Sequence, residues 1–175
     1  MSRFDDCYKI IRKLEGGYTG DNGIDGDSGG PTMGGITQSS YDNWRESGGQ
    51  SVQPVKFIAE DEIREIYSDY WRDCKASYLI PPLDLLVFDC AINSGPKRAI
   101  KLLQNCLGVT ADGIFGSVSF NALHEEINCL GVEHLCELYL QERQWWYMEI
   151  VRRNASQRKF LNGWMNRLDH LRLYV

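Results

Sequence analysis

This chain of 175 residues has only five prolines and three histidines. No apolar run reaches the roughly 18 residues that a membrane span needs, so no transmembrane helix is expected. There is no CxxC pair and no Cys/His cluster. Cys7, Cys74, Cys90, Cys106, Cys129 and Cys136 are widely spaced, so no zinc or other metal is implied. His124, His134 and His170 carry no motif around them, which leaves a cysteine nucleophile without its paired base. Positive charge is in deficit, with 19 Lys and Arg against 24 Asp and Glu, a net charge of -5. That balance tells against nonspecific binding to nucleic acid or an anionic membrane. The N-terminal segment MSRFDDCYKIIRKLEGG has no continuous apolar core, so it does not read as a secretory signal. Without such a signal the cysteines are expected to be reduced core thiols, and Cys7, Cys74 and Cys90 fall on apolar helical stripes.

What is present is the material of a globular, mostly helical protein, 43% apolar and 25% charged. A chain this long can bury roughly 70% of its unfolded surface. Phe4, Cys7, Tyr8, Ile11 and Leu14 recur at helical spacing. A short helix is expected over Tyr41 to Glu46. A longer one runs from about Ile58 to Tyr78 on the stripe Ile63, Ile66, Tyr67, Tyr70, Trp71 and Cys74, and Pro81-Pro82 ends it. Leu83 to Asn93 reads as a buried helix. The next begins at Pro96 and is stopped by Gly108. Ser117 is expected to cap a helix toward Ile127. Two more cover Gly131 to Asn154 and Lys159 to Leu173. Asp89, Asn93 and Ser94 are expected to tie helix ends. Arg152, Arg153, Arg158, Lys159 and Arg167 read as a solvated basic face. Of the consecutive aromatics Trp145, Trp146 and Tyr147, at least one must leave the core side of its helix.

The exception to the helical pattern is residues 16 to 37, which hold about half of the seventeen glycines. This segment is expected to form a loop or small β-ribbon lining a cleft. Glu15 stands at its entrance, at the end of the first helical stripe. A helix C-terminus carries partial negative charge, so stability alone does not favour a carboxylate there. A Glu held protonated near neutral pH can act as a general acid.

The run EGGY, then Asp27-Ser28-Gly29-Gly30-Pro31-Thr32, then Gly35-Ile36-Thr37, resembles the signature of the family-108 glycoside hydrolases, lysozyme-like N-acetylmuramidases of phage lysis genes and bacterial genomes. Further along, Ala91 to Pro96, Leu103-Gln104, Asp112-Gly113-Ile114-Phe115-Gly116 and Phe160 to Trp164 resemble the peptidoglycan-binding-type half that accompanies it. The resemblance implies a mainly α, lysozyme-like fold with the Gly-rich ribbon beside the active site. It implies a catalytic half over residues 1–81 and a helical peptidoglycan-binding-type half over residues 82–175. No Ser/Gly/Pro-rich linker separates them, so the two are expected to pack together.

The implied activity is hydrolysis of the β-1,4 bond between N-acetylmuramic acid and N-acetylglucosamine, as in a phage endolysin. Alternatives are a lytic transglycosylase using the same Glu, or a silent wall-binding or secretion-helper protein. Glycoside hydrolysis needs an acid and a second group facing the anomeric carbon. Glu15 takes the first role. Asp27 takes the second with Thr32 beside it, and Asp25 is the competing carboxylate, otherwise a substrate contact. Tyr18 and Trp44 flank the loop and are assigned to the saccharide. Thr37 reads as an N-cap. No cofactor is implied. The expected partner is the glycan strand, met as a monomer at the cell wall after release or export by a route other than a signal peptide.

Overall fold

The computed structural model describes residues 2–20 and 30–175. Asp21, Asp25 and Asp27 lie outside the described residues. The chain divides into two units, Met1–Asp69 and Tyr70–Val175, with the division inside a helix.

The first unit begins with α1, Arg3–Leu14. Ser2 Oγ accepts from the Asp5 amide at 3.3 Å and the Ser2 amide donates to Asp5 Oδ2 at 2.7 Å, a reciprocal capping box. Asp5 and Asp6 in the first turn, with Arg12 and Lys13 in the last, suit the helix dipole. Cys7, Tyr8 and Ile11 form its buried stripe. The Gly-rich segment that follows holds three short strands, β1 (Tyr18–Thr19), β2 (Thr32–Met33) and β3 (Ile36–Thr37), in an antiparallel sheet of order β1-β2-β3. Tyr18 pairs with Met33 and Met33 with Ile36, while Thr19 pairs with Thr32 and Thr32 with Thr37. Directly paired residues share a face. One face therefore carries Tyr18, Met33 and the fully buried Ile36, and the other a row of three threonines.

Thr37 caps α2 (Gln38–Ser47), its hydroxyl accepting from the Ser40 amide at 3.2 Å, as its spacing suggested. Arg45 and Glu62 pair at 2.7 Å, and Tyr41 donates to Glu62 at 2.6 Å, which ties α2 to α3 (Glu60–Asp73).

The second unit is all helix. α4 (Leu83–Ser94) is buried from Leu83 through Ile92, so it is apolar nearly all round and sits at the centre. α5 (Pro96–Cys106) and α7 (Val132–Arg153) pack on it, while α8 (Arg158–Arg172) and α6 (Ser117–Leu130) pack on α7. Mainly α with one small sheet is the architecture expected from the sequence.

Three local expectations are corrected. The long helix over 58 to 78 stops at Asp73: Lys75 takes a left-handed backbone (φ 60°), and Ala76–Tyr78 form a separate 3-10 turn. Gly116 is the N-cap of α6, and Ser117 is its first helical residue, making no cap. Arg167 leaves the basic face, and Asp89 does more than tie a helix end. The buried Asp89 carboxylate on α4 is held at 2.6 Å by Arg143 of α7 and at 2.6 Å by Arg167 of α8. The Arg143 contact is an ion pair by distance and off-axis for a hydrogen bond, while Arg143 Nε donates to Tyr147 Oη at 2.9 Å. Asn93 donates to the Asp89 carbonyl at 2.8 Å. Of the three consecutive aromatics, Trp145 is 73% exposed and Tyr147 is buried, stacked on Trp164.

Candidate active site

The α1 helix delivers Glu15 to the sheet. Its amide still bonds to the Ile11 carbonyl at 3.0 Å, but its backbone is extended (φ -80°, ψ 136°), so the chain leaves the helix at this residue. The carboxylate of Glu15 lies on the turn between β2 and β3. A Cβ placed on Gly35 would stand 2.7 Å from Glu15 Oε2 and 2.9 Å from its Cδ. Gly34 and Gly35 both have positive φ, 54° and 74°, the pattern of a two-residue I′ hairpin turn. Glycine is thus required at Gly35 twice over, for its backbone and for room beside the carboxylate.

The other side of the same turn is bolted down. Tyr67 Oη donates to the Gly34 carbonyl at 2.8 Å, a buried bond. Arg12, one turn before Glu15 on α1, packs on Gly34: a Cβ there would stand 2.8 Å from Arg12 Nη1. Arg12 in turn forks onto Glu60, Nε to Oε1 at 3.0 Å and Nη2 to Oε2 at 2.8 Å, and Tyr8 donates to Glu60 Oε1 at 2.5 Å. Hydrogen bonding from Arg12 holds the Glu60 carboxyl below its usual range. Burial, then the Glu60 contact, pushes the Tyr8 phenol up to about 12. Both shifts keep Glu60 charged and Tyr8 a donor across the neutral range. Charged, bidentate bonds of this kind are geometrically demanding, so α1, α3 and the hairpin turn are fixed relative to one another.

Of the residues assigned from the sequence, Tyr18 and Thr32 lie on neighbouring strands of the sheet but on its opposite faces. The Tyr18 ring folds over Gly20 yet stays 42% exposed. Thr32 occupies the middle of the threonine row and donates its hydroxyl to the Gly30 carbonyl at 3.1 Å. A hydroxyl that donates in this way can also accept through its oxygen. Trp44 is held on α2, half-buried and stacked on Tyr41 with ring centroids 6.3 Å apart. Asp25 and Asp27 lie outside the described residues. Among the described residues no three His, Cys, Asp or Glu side chains gather as a metal-holding group. Likewise no described helix is long and apolar enough to cross a membrane.

The sequence reading missed the Arg12–Glu60–Tyr8 and Tyr67–Gly34 supports. The one available signal was a cation three residues before Glu15 on the same helix. Its partner, 48 residues away, carries no local mark.

Comparison with known proteins places the chain in a family. Residues 8–95 match the family described as Glycosyl hydrolase 108, and residues 98–169 match a family described as Predicted Peptidoglycan domain. A solved structure titled Structure of Brucella abortus SagA is similar over 97% of this chain and 91% of its own, with 27% sequence identity and a TM-score of 0.81. No curated protein is significantly similar in sequence.

Proposed function

The chain belongs to the glycosyl hydrolase 108 family, and from that premise we propose that it is a muramidase, hydrolysing the β-1,4 bond between N-acetylmuramic acid and N-acetylglucosamine in peptidoglycan. The observation that supports this most is the seat of the Glu15 carboxylate against Gly35, on a hairpin turn that Tyr67 and Arg12 hold in place. A carboxyl group fixed in this way can be presented to a glycosidic oxygen in one geometry. We assign the catalytic part to residues 1–81 and the wall-binding part to residues 82–175; the matches over 8–95 and 98–169 support two parts in that order.

In this reading Glu15 gives its proton to the glycosidic oxygen as the bond from the muramyl anomeric carbon breaks. Asp27 takes a proton from the water that attacks the opposite face, and Thr32 holds that water through its hydroxyl oxygen. Tyr18 contributes an exposed ring to the saccharide, with Trp44 and Asp25 as further contacts. The protein acts at the cell wall as a monomer, in the manner of an endolysin. The test is digestion of purified walls followed by borohydride reduction. Muramitol ends support the muramidase, and glucosaminitol ends overturn it.

Two expected results follow. Water attack opposite the leaving oxygen inverts the anomeric centre, so early products read by NMR on a soluble glycan should be the α-anomer. Accumulation of the β-anomer, or a glycosyl-enzyme trapped on Asp27 or Asp25, contradicts this mechanism. Gly35→Ala should destabilise the fold by about 1–3 kcal/mol through its left-handed backbone. It should also slow hydrolysis about 10²-fold by displacing the acid. Thermal melts and reducing-end release measure the two effects. A Gly35→Ala protein with unchanged activity removes the role given to this contact.

A further inference from the structure

A cleft of about 440 Å³ opens in the second unit, lined by Lys75, Tyr78, Phe115, Gly116, Ser117 and Phe120. Its aromatic lining is not core. Tyr78 is 62% and Phe120 38% exposed, and the neighbouring Ile114 and Val118 are 70% and 69% exposed. Apolar groups left in water at this density need a reason beyond folding.

The walls are also rigid. The loop 110–116 is pinned from beneath by the buried Gln104. Its Nε2 donates to Asp112 Oδ1 at 2.8 Å, the Ile114 carbonyl at 3.1 Å and Ser119 Oγ at 3.1 Å, and its Oε1 accepts from the Gly113 amide at 2.8 Å. Gly113, at φ 82°, packs so tightly on Lys97 that a Cβ would stand 2.6 Å from Lys97 Cγ. The Asp-Gly-Ile-Phe-Gly run is therefore a stiff platform that presents Ile114 outward and sets the half-buried Phe115 in the cleft wall. On the other wall, Lys75 holds the left-handed backbone that ends α3 and carries the chain into the turn bearing Tyr78.

We propose that this cleft is a wall-binding site separate from the Glu15 site, taking a muropeptide: the face of an amino-sugar ring on Tyr78, Phe115 and Phe120, and a carboxylate on Lys75. The proposal rests on the peptidoglycan reading above. The C–H face of a pyranose is apolar and complements the negative face of an aromatic ring. Among the described lining residues Lys75 is the only charged one, in a chain of net charge -5. One cation in an aromatic cleft suits a ligand with isolated carboxylates, such as the lactyl group or the stem peptide. A nucleic acid or an anionic lipid surface calls for several cations. The volume is that of a small-ligand site, for which about 300–1,000 Å³ is usual. Phe115 and Phe120 lie within the stretch matched by the peptidoglycan domain.

The experiment uses the full chain with labelled phenylalanines. NMR follows Phe115 and Phe120 during titration with a soluble disaccharide-tetrapeptide, with chitotriose, or with the tetrapeptide alone. The disaccharide-tetrapeptide should shift both resonances. Tyr78→Ala should weaken that binding at least about 10-fold. Lys75→Gln should weaken it about 3- to 10-fold while leaving chitotriose affinity unaltered. Circular dichroism confirms that both variants fold, which the exposed Tyr78 and the half-buried Lys75 favour. Absent shifts overturn the proposal. So does binding of wild-type strength in both variants, or tetrapeptide binding as tight as that of the whole muropeptide. Reducing ends released from walls by the wild type are scored in parallel. Phe shifts without hydrolysis remove the hydrolase reading and leave the cleft. Hydrolysis without the shifts removes the cleft and leaves the hydrolase reading.

Discussion

Glu15→Gln should abolish most wall hydrolysis, with a rate loss of at least ~10²-fold, while the fold stays in place. Glutamine keeps the shape and hydrogen-bonding reach of the side chain but has no proton to give the leaving oxygen. The residue sits past the end of α1 and is only half-buried, so the fold should tolerate a change that keeps its shape. Its surroundings have supports of their own. The turn beneath is fixed by Tyr67 on Gly34 and by Arg12, itself forked onto Glu60. The expected signature is therefore a sharp split: unchanged melting and near-zero release of reducing ends. A well-folded Glu15→Gln protein that lyses walls at the normal rate sinks the assignment of the acid.

The largest effect on stability is expected at Asp89. Removing its carboxylate in Asp89→Ala takes the counter-charge from the fully buried Arg143 and one partner from Arg167. Breaking a buried ion pair from one side costs about 3–5 kcal/mol. That is a large share of the roughly 5–15 kcal/mol that holds a typical domain together. The melting temperature should fall by roughly 6–20 °C, taking ~2–4 °C per kcal/mol for a chain of this size. Replacing all three charged residues by apolar ones of similar volume should cost far less, because the burial penalty of the charges is removed with them. Asp89→Ala melting like the wild type would show that the triad contributes nothing.

The same triad sets a pH dependence. Burial by itself would raise the Asp89 carboxyl, but the Arg143 and Arg167 charges outweigh it and hold it below its ordinary value. A carboxyl whose folded pKa is depressed stabilises the protein above its unfolded pKa, near 4. That stabilisation is lost as pH falls through the folded value. Acid unfolding of the wild type should therefore be steeper than that of Asp89→Ala, measured by circular dichroism from neutral pH downward.

Much of this architecture was readable from residue order. The stripe through Cys7, Tyr8 and Ile11 marked α1, and the glycines after Glu15 marked the place where helix had to give way to ribbon. Thr37 was identifiable as a cap because capping is a contact over three residues, inside the reach of a local pattern. The features that escaped are pairings across long separations. Asp89 and Arg167 are 78 residues apart, and an Arg amid aromatics on α7 looks like any polar position until its partner is known. The end of α3 escaped for a different reason. Nothing about Lys75 as a residue type favours a left-handed backbone, so its break is imposed by packing and is not signalled by a glycine. Glu15, placed at a helix end by periodicity, gained its chemical setting only when the hairpin turn brought Gly35 beneath it.

The central claim is hydrolysis of the glycan strand, and mass spectrometry of the fragments released from purified walls tests it most directly. Addition of water across the muramyl bond is expected, giving fragments with a free reducing end. Fragments lighter by one water, closed as 1,6-anhydro sugars, or walls left uncut by active-site-intact protein, would contradict it.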